Sequence, residues 1–145
     1  MAIQKSSTKT ALDLGNFESV VDEKLNSIFQ RLTKNQTIID KSISYALSNP
    51  GKRIRPTLVF LVGDFLGIET SRLESIAGAI ELIHTYSLVH DDLPCMDDDD
   101  LRRGKPTLHK KFNESTAVLA GDALQTLAFN LILDELTTKE KEWMP

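Results

Sequence analysis

The stretch Leu73-Glu-Ser-Ile76-Ala-Gly-Ala-Ile80-Glu-Leu-Ile83-His84-Thr-Tyr86-Ser87-Leu-Val-His90-Asp91-Asp92 decides the fold class. Leu73, Ile76, Ile80, Ile83 and Ser87 recur at intervals of three and four, which places them along one face of an α-helix. Thr70 or Ser71 stands where an N-cap would start it. The same period extends outward on both sides. Phe17, Val20, Val21, Leu25, Ile28 and Leu32 predict a helix over 13–33, and Asn35 or Thr37 opens a second one carrying Ile38, Ile39, Ile43, Ala46 and Leu47. Asn49-Pro50-Gly51 ends it. Pro56 suits the first position of a third helix, which runs to Leu66-Gly67. Downstream, Gly104-Lys105-Pro106 reads as a polar loop, and Ser115 leads a fifth helix through Val118, Leu119, Ala123, Leu127, Leu131 and Leu136. No alternation of period two competes with this pattern. The fold class is all-α.

Composition agrees with one globular domain: 145 residues, 41% hydrophobic and 26% charged. The single cysteine, Cys95, excludes an intrachain disulfide. The N-terminal stretch Met1–Thr10 has no apolar core of a secretory signal, so a cytoplasmic location is expected. The longest uninterrupted apolar run, within Thr57–Gly63, falls well short of the ~20 residues of a membrane span, and none is expected. A basic stripe interleaved with aromatics, which a nucleic-acid partner would require, is absent from the sequence.

Charge is concentrated rather than spread. Lys and Arg number 17 against 21 Asp and Glu, a net of −4, and six of the acids lie between Asp91 and Asp100: Asp91, Asp92, Asp97, Asp98, Asp99 and Asp100. Without those six, 15 acids face 17 bases. Two carboxylates about 6 Å apart repel by about 0.7 kcal/mol even in water. Such a run is either a solvated helix end or a place where a hard cation takes oxygen ligands, as Mg²⁺ does when it also bridges to phosphates. An EF-hand is excluded by the spacing.

Helical geometry sets His84 and Asp91 on one face, about 10.5 Å apart. Asp91 and Asp97 would diverge by about 120° on an ideal helix. Pro94, which removes a donor and clashes with the preceding turn, is expected to distort the helix and bring Asp97 back toward Asp91. A second cluster, Asn49-Pro-Gly51-Lys52-Arg53-Ile-Arg55-Pro56, is a basic turn entering a helix, where cations and helix N-terminal amides favour an oxyanion.

Taken in order, Gly-Lys-Arg-Ile-Arg-Pro at 51–56, His84 ahead of Asp-Asp-x4-Asp at 91–97, Arg-Arg-Gly-Lys-Pro-Thr at 102–107 and Leu-Ala-Gly-Asp-Ala-Leu-Gln at 119–125 resemble the trans-prenyltransferases. Within that family the resemblance is to the bacterial enzymes that make farnesyl diphosphate, and it runs from about Phe17 to Leu133. It implies the helical bundle of the isoprenoid synthases and condensation of an allylic diphosphate with isopentenyl diphosphate. It implies Mg²⁺, with Mn²⁺ as a substitute, at Asp91 and Asp97, with Asp92 supporting. Arg102 then meets the allylic diphosphate. Lys52, Arg55, His84 and Arg103 meet isopentenyl diphosphate, and Arg53 matches a basic position of unassigned role.

The resemblance further implies that Tyr86, with Ser87 beside it, sets product length as the floor of the hydrocarbon pocket. The four-residue spacer Leu93–Met96 matches the bacterial C15 type. No protein nucleophile is needed, so His90 and Cys95 take no covalent role. The family carries a second Asp-Asp-x-x-Asp motif, which these 145 residues lack. The chain therefore reads as the N-terminal half of one polyprenyl synthetase domain, expected to form a homodimer at full length. A geranylgeranyl diphosphate synthase and an inactive helical fragment stay open as alternatives. A terpene cyclase would have no use for Lys52, Arg55 and His84.

Overall fold

The computed structural model describes residues 19–24, 26, 27, 30, 36–49 and 51–140, with side chains up to Asp134. Residues 19–24 are helical, in keeping with the first expected helix; Phe17, Leu25, Ile28 and Leu32 lie outside the described residues. Five helices follow: α1 (Ile38–Leu47), α2 (Ile54–Phe65), α3 (Glu74–Asp91), α4 (Leu108–Lys111) and α5 (Glu114–Glu140). Helix α1 starts where one of the two candidate caps placed it. The Thr37 hydroxyl accepts from the Asp40 N–H at 3.2 Å while the Asp40 carboxylate accepts from the Thr37 N–H at 2.9 Å, a reciprocal capping box.

The other starts differ from the sequence expectation. Helix α2 begins at Ile54, so Pro56 sits third rather than first, still within the turn whose N–H groups need no intrahelical partner. Thr70 and Ser71 form a short 3-10 turn, Thr70–Arg72, ahead of α3 instead of capping it. Asn113 rather than Ser115 caps α5, its Oδ1 accepting from the Thr116 N–H at 2.8 Å. The expected polar loop contains a two-residue antiparallel hairpin, β1 (Leu101–Arg102) and β2 (Lys105–Pro106), with Leu101 opposite Pro106. Arg103 and Gly104 take positive φ at its tip.

Helix α3 is the central element, with α2 and α5 packed along it. Its buried residues include Ala77, Gly78, Ala79, Leu82, Thr85 and Val89, not the isoleucine stripe. Ile76 is 38% exposed, and Ile80 and Ile83 are only half-buried. A similar shift occurs in α5. Leu131 of the expected stripe is buried and Ala123 and Leu127 are half-buried, but Val118 and Leu119 are 39% and 55% exposed, and Ala117, Ala120, Leu124 and Ala128 are buried. Small residues win these positions because they let helix axes approach closely and pack densely. Gly121 shows the constraint: a Cβ there would fall 2.1 Å from His90 Nε2.

Residues 114–134 of α5 are long and apolar enough to cross a membrane by length and composition. Counting uninterrupted apolar runs misses this, because Asp122, Gln125 and Asn130 divide the segment. Length and composition alone therefore do not exclude a span. The packing of the small-residue stripe along α3 is what marks α5 as a bundle helix.

Candidate functional site

The basic turn is built around a strained residue. Arg53, the N-cap of α2, has φ 48° and ψ 27°, a left-handed conformation that costs a non-glycine residue about 1–3 kcal/mol. Its carbonyl accepts from the Thr57 N–H at 3.0 Å and the Thr57 hydroxyl at 2.8 Å. Its guanidinium is buried, paired with Glu81 at 2.5 Å and with Asp22 at 2.6 Å. Glu81 is itself 3% exposed and sits one turn before His84. Sequence reasoning missed it; the available signal was an acid inside an apolar helix, which must find a cation when buried.

Gly51 and Arg103 bring the turn and the hairpin together. The Arg103 guanidinium donates to the Asn49 carbonyl at 2.7 Å, and the Asn49 side-chain amide donates to the Arg102 carbonyl at 3.1 Å. A Cβ on Gly51 would lie 2.4 Å from Arg103 Nη2, so only glycine lets the guanidinium cross here. The result is a cavity of about 750 Å³ lined by Gly51, Lys52, Arg53, Arg55, Glu81, His84 and Arg103, among others. All four residues expected to bind one diphosphate, Lys52, Arg55, His84 and Arg103, stand around it.

His84 is neutral in this setting. Burial, then the neighbouring Arg55 cation, hold its pKa below the ordinary 6.5, with Glu81 opposing and Arg103 and Arg102 adding smaller downward pushes. Arg55 Nη1 lies 3.2 Å from His84 Nε2. Guanidinium can only donate, so Nε2 accepts and the ring proton belongs on Nδ1. On the other side of His84 and Arg55 lies an apolar cavity of about 330 Å³, walled by Ile80, Ile83, Ser87, Ala128, Phe129 and Ile132. Ile80 and Ile83, only half-buried on α3, thus line this space.

Helix α3 stops at Asp91, ahead of Pro94. The chain then folds back, with the Asp97 N–H donating to the Asp91 carbonyl at 2.8 Å and the Asp98 N–H to the Leu93 carbonyl at 3.1 Å. The helix ends rather than kinks, and the return expected of Asp97 is made by its backbone. Asp91 is half-buried and Asp97 exposed. Asp92 is 3% exposed and engaged by Arg102, whose Nε lies 2.8 and 2.9 Å from the two carboxylate oxygens. Arg102 therefore remains charged, its pKa raised chiefly by that bond. The loop is latched to the hairpin's far side by Thr107, whose hydroxyl donates to the Asp99 carbonyl at 2.7 Å and whose N–H donates to the Asp100 carbonyl at 3.0 Å.

Among the described residues no three His, Cys, Asp or Glu side chains are gathered into a cage for a metal. Oxygen donors on Asp91 and Asp97 suit a hard cation that takes its remaining ligands from phosphate and water. Tyr86 packs edge-on against His90, ring centroids 4.9 Å apart, and Ser87 is the one of the pair that lines the apolar cavity. His90 is held between helices, its Nε2 3.0 Å from the Val118 carbonyl. Cys95 is exposed.

A left-handed arginine turn thus faces a histidine on a helix that ends at paired aspartates. Residues 36–143 match the polyprenyl synthetase family model. The chain is 50% identical over 113 residues to the farnesyl diphosphate synthase of Escherichia coli, covering 78% of this chain and 38% of that protein. It is 46% identical to the Bacillus subtilis farnesyl diphosphate synthase, covering 86% of this chain and 42% of the relative. A crystal structure of a geranyltransferase from Legionella pneumophila superposes with a TM-score of 0.82 at 44% identity, over 86% of this chain and 44% of that one. The fold is that of the isoprenoid synthases. The chain belongs to the polyprenyl synthetase family. It spans about two-fifths of the length of these relatives.

Proposed function

We propose that the protein carrying this chain is a Mg²⁺-dependent prenyltransferase that condenses dimethylallyl or geranyl diphosphate with isopentenyl diphosphate to give farnesyl diphosphate. The observation that carries this reading is the junction of two unlike cavities at Arg55 and His84. A cationic space on one side and an aliphatic one on the other fit an amphiphile with a diphosphate head and a short hydrocarbon tail.

Lys52, Arg55, Arg103 and the neutral His84 hold the isopentenyl diphosphate head. Asp91 and Asp97 would hold Mg²⁺, or Mn²⁺ in its place, which would supply charge neutralisation to the allylic diphosphate. Asp92 supports them by fixing Arg102, whose partly exposed guanidinium faces the same diphosphate. The allylic C–O bond breaks with its electron pair on the departing pyrophosphate, where the arginines stabilise the developing charge. The isopentenyl double bond then attacks the allylic carbon, and a proton leaves to form the new alkene. No side chain acts as a nucleophile.

Tyr86, with Ser87, limits product length from α3. The whole protein works as a cytoplasmic homodimer, without nucleic acid. Incubating it with isopentenyl and geranyl diphosphates plus Mg²⁺ should yield a C15 diphosphate by product chromatography; absence of any elongated product would refute the reading.

A further inference from the structure

Arg53 lines the cationic cavity, yet its charge is already committed. Its side chain is 6% exposed and its partner Glu81 is 5% exposed, with the Asp22 carboxylate on the opposite side. Two carboxylates surround one guanidinium, so little positive potential is left for an anionic ligand. The backbone at Arg53 is left-handed, and Lys52, directly before it, and Arg55, two residues after it, line the same cavity. Glu81 belongs to the same helix as His84, three residues earlier. A single ion pair thus joins the strained turn that carries two cations to the helix that carries the histidine.

We propose that Arg53 is a positioning residue for the isopentenyl diphosphate site, acting through its buried pair with Glu81 to hold Lys52 and Arg55 opposite His84. This rests on the cavity being that site. The pair does two things at once. It anchors a turn conformation that a non-glycine residue does not adopt unaided. It also neutralises a carboxylate that would otherwise stand one turn from His84 and repel the incoming diphosphate. Charge and backbone geometry are therefore coupled: loss of Arg53 leaves Glu81 buried and unpaired, loss of Glu81 leaves Arg53 with Asp22 alone and unties the turn from α3, and either change lets the turn relax.

Steady-state kinetics of the whole protein carrying this chain test the proposal with Glu81→Gln, Arg53→Met and the pair combined. Glu81→Gln keeps shape and hydrogen-bonding capacity, so it is the variant most able to fold. Each single variant should raise KM for isopentenyl diphosphate about tenfold, with KM for geranyl diphosphate within twofold of wild type. The double variant should be no worse than the poorer single one, as expected for two residues acting as a unit.

A direct phosphate contact by Arg53 predicts otherwise. Glu81→Gln would then release the guanidinium and leave KM unchanged or lower it, and that result overturns the proposal. Thermal midpoints that fall while both KM values stay put overturn it as well. Calorimetric titration of the same variants with isopentenyl diphosphate reads the effect without turnover. If wild type binds but forms no product, the functional reading fails while the ratio of affinities still decides the role of Arg53; wild type that does not bind overturns both.

Discussion

Arg102 grips Asp92 through both carboxylate oxygens, Nε at 2.8 and 2.9 Å, so the second aspartate of the Asp91-Asp92 pair is spent on an arginine and not left open to a cation. The pair joins the end of α3 to the hairpin and is buried on the carboxylate side only, Asp92 at 5% and Arg102 at 30% side-chain exposure. Asp92→Ala should therefore destabilise the fold by about 1–3 kcal/mol, the partly exposed guanidinium recovering some solvation. Urea unfolding measures this, and an unchanged midpoint would show that the pair contributes nothing.

Asp91 and Asp97 are the aspartates proposed to hold the metal. Asp91→Ala or Asp97→Ala in the whole protein should lower turnover by at least about 10²-fold. Mn²⁺ binding followed by electron paramagnetic resonance should weaken in parallel. Near-normal rates at saturating Mg²⁺ would remove both residues from the site.

The close approach of Gly121 to His90 gives a test of packing alone. Gly121→Ala forces the imidazole away from the Val118 carbonyl and from the Tyr86 ring. A cost of about 1–3 kcal/mol is expected from overpacking. Thermal unfolding indistinguishable from wild type would mean that the helices separate freely.

His84 makes stability depend on pH. Its folded pKa lies below the unfolded 6.5, so between the two values the unfolded chain holds more protons. The stabilisation is complete above 6.5 and is lost as pH falls through the folded value. Denaturant midpoints at pH 7.5 and 5.5 should differ more in wild type than in His84→Gln; equal differences would place the titration elsewhere.

Tyr86→Ala should open space beside α3 and admit another five-carbon unit, shifting product from C15 toward C20. Chromatography of the products decides. A spectrum confined to C15 would pass the role of length gauge to Ser87, which lines the apolar cavity directly.

The all-α class was legible in the sequence because helical period depends on local spacing alone, and the start at Thr37, one of two candidate caps, follows from residue type; a break near Pro94 was also legible, although the helix ends there where a kink was expected. Which face of α3 and α5 is buried was not legible. Periodicity finds the most hydrophobic stripe, whereas close helix packing selects the smallest one, so Ala77, Ala117 and Ala120 took the core and Ile80 and Ile83 were left to wall a cavity. The partners of the charges were equally hidden. Arg53 meets Glu81 across 28 residues, Arg103 crosses Gly51, and Arg102 closes on Asp92, and each pairing exists only once the basic turn, the end of α3 and the hairpin are brought together in space. Residue identity alone determined that cations and carboxylates would be present; tertiary structure decided which were neutralised within the protein and which were left facing the cavity, because burial makes an unpaired charge too costly to keep.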